Sequence, residues 1–104
     1  MPYVPDYMRD PVVKQLDPLI VLLRRRRKTG KENVDGLLNF AISRLLVGVL
    51  ELDSAPRYSS FVTAEGTLTC VGLELYRRFA HNYEDTKLKE NGDILHPPIS
   101  GEED

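Results

Sequence analysis

The sequence predicts an all-α fold: a small three-helix domain with a long C-terminal helix. Two observations predict it. Apolar residues recur at steps of three and four along most of the chain, the signature of one face of a helix. The periodic stretches are also punctuated by helix start and stop residues, Asp-Pro before the first and Asn-Gly after the last. Its 104 residues suit one domain. With 41% hydrophobic and 29% charged residues the balance is globular rather than disordered.

Met1–Arg9 reads as an extended, proline-flanked arm, because residues before proline avoid helical geometry. The first helix is expected from Asp10-Pro11, with Asp as N-cap and Pro in the first turn. Val13, Leu16, Ile20 and Leu23 form its apolar line. Pro18 interrupts this run, so either a kink or a true start at Asp17-Pro18 is expected. Arg24–Lys28 and then Gly30 suit a helix C-terminus, where cations meet the negative dipole end and glycine caps. Lys31–Gly36 reads as a connection, and Leu37–Leu52 as a second helix that is apolar on nearly every side.

After a loop at Asp53–Ser60, a third helix is expected from Ser59 or Ser60 to near Lys89. It carries one stripe of Phe61, Ala64, Leu68, Gly72, Leu75, Phe79 and Tyr83. A second stripe holds Val62, Thr69, Leu73, Tyr76 and Ala80, and a polar face gathers Glu74, Arg77, Arg78, His81, Glu84 and Asp85. The expected organisation is one domain over residues 1–93, with residues 94–104 as a mobile acidic tail.

Helices apolar nearly all round must be buried nearly all round. Three helices of this size cannot hide that surface, which points to a helical homo-oligomer, a dimer or a tetramer. The alternative is that the loops and arm cover these faces.

Candidate chemistry is sparse. A single cysteine, Cys70, excludes an intrachain disulfide and a thiolate metal cluster. The apolar runs are too short to span a membrane, and no leader pattern opens the chain, so a cytoplasmic protein is expected. No phosphate loop, nucleophile elbow or zinc motif occurs, so neither enzyme activity nor a cofactor is expected. His81 and His96 could join Glu84 and Asp85 as metal ligands, but one His-x-x-Glu step supplies only two groups, and no metal is expected.

The Arg24–Lys28 run points around more than a full turn. A dipole-matched helix end explains it better than a nucleic-acid surface, because no aromatic residue interleaves it. Arg77 and Arg78 lie beside Tyr76 and Tyr83, where guanidinium forks could grip phosphates and tyrosine rings could stack. Pairing of the arginines with Glu74, or with Glu84 and Asp85 seven residues on, explains them slightly better on spacing alone.

The chain also carries a resemblance. Leu37–Leu46, reading LLNFAISRLL, resembles the "LNYxITRLL" segment of a widespread family of small phage and prokaryotic proteins. Leu68–Arg78, reading LTCVGLELYRR, is similar to that family's "LECVKLEFYRR", and Tyr83–Asp93, reading YEDTKLKENGD, to its "YEDxKIxENGD". Pro2-Tyr3-Val4 resembles its "PYI" opening. The chain departs from the pattern in the Arg24–Lys28 run, in Thr69 where glutamate is common, and in a longer tail.

The family in turn looks like the anti-CBASS sponge proteins of phages, helical oligomers that sequester cyclic-nucleotide immune signals without cleaving them. That resemblance implies ligand pockets at subunit contacts, in the cytoplasm of an infected bacterium. It maps the retained Arg-Arg, Tyr and Asn positions to Arg77, Arg78, Tyr76, Tyr83, Asn39 and Asn91. Arg44 would supplement the arginines on the phosphates, and Tyr3 the tyrosines on the bases. The rival expectations are a helical protein that blocks or bridges another protein, and a nucleic-acid accessory protein using Arg24–Lys28.

Overall fold

The structure, a computed structural model, describes residues 2–30, 33–95 and 97–101. It is helical throughout, with no strand among the described residues. The helices are α1 (Asp6–Thr29), α2 (Val34–Leu50), α3 (Tyr58–Leu75) and α4 (His81–Asn91), and a π turn over Tyr76–Ala80 joins the last two into one continuous helix. Two compact units divide the chain, residues 1–67 and 68–104.

In the first unit, α1 starts at Asp6, five residues before the Pro11 start that an Asp10 N-cap suggests. Pro5 is extended at the N-cap, and its carbonyl accepts from the N–H groups of Met8 (3.0 Å) and Arg9 (3.1 Å). Asp6 favours the positive end of the dipole and pairs with Arg9 one turn on. These contacts move Pro11 and Pro18 inside the helix. Each lacks an N–H and leaves one carbonyl four residues back without its bond. For Pro18 that residue is Lys14, which is exposed. The extended arm is therefore confined to residues 2–5. The C-terminus follows the sequence: Gly30 adopts φ 65° and its N–H meets the Arg27 carbonyl, with Arg26, Arg27 and Lys28 in the last turn.

Helix α2 begins at Val34, not Leu37, because the Asn33 side chain accepts from the Gly36 N–H at 3.0 Å and caps the helix earlier. A Cβ at position 36 would lie 3.3 Å from the Asn33 amide, so Gly36 leaves room for the cap. Helices α1 and α2 pack on each other. Their less exposed residues are Leu19 and Leu23 on α1 and Val34, Leu37, Ala41, Leu46, Val47 and Leu50 on α2.

The end of α2 is formed by Glu51 in the left-handed region (φ 54°). The Leu52 N–H returns to the Val47 carbonyl at 3.0 Å. Further along, the Arg57 carbonyl accepts from Ser60 and Phe61 to start α3.

Burial is slight. Ala64 alone among the described residues is buried, whereas Phe40 and Val49 on α2 are 62% and 75% exposed. In the second unit Leu73, Phe79 and Tyr83 are likewise exposed. No described helix is long and apolar enough to cross a membrane.

Candidate functional site

The π turn organises the second unit. The His81 N–H reaches the Tyr76 carbonyl, five residues back, instead of the usual four. A regular α-helix returns to the same line after about seven residues, and residues eight apart stand about 80° off. One π turn adds about one residue, so pairs eight apart come into line. That is why the Tyr76 hydroxyl donates to the Glu84 carboxylate at 3.1 Å. The Tyr76 ring also lies 5.9 Å from the His81 imidazole, tilted at 53°. The Asn82 side-chain amide, on α4, donates to the Arg78 carbonyl of the turn at 3.2 Å. The Tyr76 pKa is raised above its ordinary value, first by the hydrogen bond to Glu84, then by the charge of that carboxylate, with burial and Asp85 adding less.

Beside this turn runs a shallow apolar groove of about 580 Å³, lined by Gly72, Leu75, Tyr76, Phe79, Ala80 and Tyr83. It draws residues from both apolar stripes of the sequence. Tyr76 and Tyr83 are thus brought together. Lys87 stands over the Tyr83 ring, its ammonium 5.5 Å from the ring centre, and also pairs with Glu90 at 3.2 Å.

The arginines are placed differently. Arg77 and Arg78 are not among the groove residues. Arg77 pairs with the half-buried Glu74 at 2.7 Å, one of the partners its spacing suggests. Glu84, seven residues on, accepts from the Tyr76 hydroxyl. The Arg78 side chain has no hydrogen bond or ion pair among the described residues and is exposed.

Asn39 and Arg44, on α2, belong to the first unit. Asn39 Oδ1 accepts from the Ser43 hydroxyl at 3.3 Å, and Arg44 is exposed with no side-chain partner among the described residues. Tyr3 lies in the extended arm. Asn91 is the last residue of α4, ahead of Gly92 (φ 89°).

For metal chemistry, His81 Nε2 approaches Asp85 Oδ2 at 3.4 Å. No group of three or more His, Cys, Asp or Glu side chains among the described residues could hold a metal ion. His96 lies outside the described residues. Cys70 is an exposed free thiol. Sequence reasoning missed the Tyr76–Glu84 bond and the Lys87–Tyr83 contact. Only the second had a signal, a lysine one helical turn after a tyrosine.

An all-helical chain with exposed apolar faces and a tyrosine-flanked groove is the class these features define. The chain belongs to a family described as a domain of unknown function (DUF6899), whose model matches residues 1–94. No curated protein and no solved structure matches it.

Proposed function

We propose that this chain is a non-catalytic, self-associating binding protein that sequesters a cyclic nucleotide, as its resemblance to the phage anti-CBASS sponges implies. The observation that carries the reading is the exposed Tyr76–Tyr83 groove. Two tyrosine rings on an apolar floor suit nucleobases, which stack without needing a particular hydrogen-bond pattern. The groove itself holds no arginine. The phosphates would therefore be met by guanidinium groups reaching in from another copy, with the exposed Arg78 and Arg44 as donors and Arg77 exchanging from Glu74. A pocket completed only by a second copy gives self-association a functional reason, and the unburied apolar faces give it a driving force. Asn39, Asn91 and Tyr3 would supply further contacts in such an assembly. The setting is the cytoplasm of an infected bacterium.

The test is direct. Purified protein incubated with micromolar cyclic di- and trinucleotides and then denatured should release the ligand intact. Arg78→Ala should weaken retention by about tenfold or more, the size of a lost charged phosphate contact. If no cyclic nucleotide is retained at micromolar concentration, the reading is wrong. If the retained ligand emerges cleaved, the non-catalytic part is wrong.

The apolar lining favours one second reading, a helical partner protein docked in the groove. In that case binding survives Arg78→Ala and is lost with Phe79→Asp.

A further inference from the structure

The stretch Leu68–Leu88 carries two incompatible instructions about its own register. Leu68, Gly72, Leu75, Phe79 and Tyr83 recur at steps of three and four, the spacing of one face of a regular α-helix. The structure has a π turn at Tyr76–Ala80 instead. Its extra residue shifts α4 around the helix axis and puts Ala80 on the line of Gly72 and Tyr76, while Phe79 and Tyr83 border the same groove.

A π turn has poorer intrinsic hydrogen bonding than the α-helix and needs support from side chains. That support is present. Tyr76 donates to Glu84 at 3.1 Å across eight residues, a pairing that a regular helix would pull apart by about 80°. The Tyr76 ring lies against His81, five residues on. Asn82 supplies a side-chain donor to the Arg78 carbonyl within the turn. Two of these three contacts run through one side chain, Tyr76.

We propose that the Tyr76–Glu84 hydrogen bond is a register lock: it holds the π turn, and its release lets the segment close into a regular α-helix in which α4 is turned by roughly 100° relative to α3. In the released register the His81 N–H passes from the Tyr76 carbonyl to the Arg77 carbonyl. Ala80 then leaves the line of Gly72 and Tyr76, and Glu84 leaves Tyr76. The two registers set α4 at different rotations on α3, so the lock selects which α4 side chains stand beside the groove. This inference concerns the second unit alone and stands whether or not the chain binds a nucleotide.

The experiment measures the partner of the His81 amide in the full chain, by through-hydrogen-bond couplings in labelled protein or in a crystal structure. Wild type should show the bond to the Tyr76 carbonyl. Tyr76→Phe, which removes one hydroxyl from an exposed side chain, should move it to the Arg77 carbonyl. Glu84→Ala, which removes the acceptor from the other side, should do the same. A wild type already bonded to Arg77 would overturn the proposal, and so would either variant that keeps the bond to Tyr76.

Discussion

Glu51 ends α2 with φ 54°, a left-handed conformation that costs an ordinary L-residue about 1–2 kcal/mol and glycine almost nothing. It is the described non-glycine residue with positive φ, and its side chain is exposed. Glu51→Gly should therefore raise stability by about 1 kcal/mol, the relief being partly offset by glycine's freer unfolded chain. Urea unfolding at one fixed protein concentration checks this, and an unchanged or lower midpoint would contradict it. The contrast with α1 shows what can be read from residues alone. Gly30 announces its helix end because only glycine takes that backbone cheaply. Nothing about a glutamate announces the end of α2, where the Val47 carbonyl receives the Leu52 N–H and closes the helix.

Elements were legible where one periodicity dominated. The third helix was, because its stripes run unbroken from Phe61 to Tyr83. Its π turn was not, since an inserted residue leaves the composition unchanged and shows only in which carbonyl the His81 N–H meets. The start of α1 was hidden for a related reason: Asp10-Pro11 is a good cap in isolation, but the Pro5 carbonyl and the Asp6–Arg9 pair nucleate a turn before it.

The π turn also has a pH signature. Tyr76 titrates above its usual value near 10 because its protonated form donates to Glu84, with Asp85 adding a smaller repulsion to the phenolate. His81, which faces the same ring, pairs with Asp85. A raised folded-state pKa means that the folded chain holds this proton more tightly than the unfolded one. The contribution to stability is thus fully present below about pH 10 and is lost as pH rises through the raised value. In a phenolate absorbance titration, the difference between wild type and Tyr76→Phe should show one tyrosine with a midpoint above the ordinary value. A midpoint at or below it would remove the hydrogen bond from the account.

At the scale of the whole molecule, function was less legible than fold. Tyr76 and Tyr83 were singled out from their spacing, and both line the groove. Arg77 and Arg78 were grouped with them because helical spacing puts all four near one end of a helix, yet the groove includes neither arginine. The groove face holds Leu75, Tyr76, Phe79 and Ala80, and Arg77 and Arg78, lying between these two pairs in sequence, fall off that face.

The apolar surface is the feature that residue counting anticipated best. Phe40 and Val49 in the first unit, and Leu73, Phe79 and Tyr83 in the second, are all more than half exposed. Fully burying one such side chain is worth about 1.5–3 kcal/mol, so the proposed association of copies would have a large reserve to draw on. A charge on that surface should oppose it. Phe79→Asp is expected to shift the equilibrium toward the monomer by at least tenfold, readable by sedimentation.

The measurement that tests the central claim most directly is native mass spectrometry of the purified full chain at micromolar concentration, under mild and then denaturing conditions. The account predicts a homo-oligomer that dissociates to the 11.8 kDa chain on denaturation. A monodisperse monomer of that mass under mild conditions would contradict it.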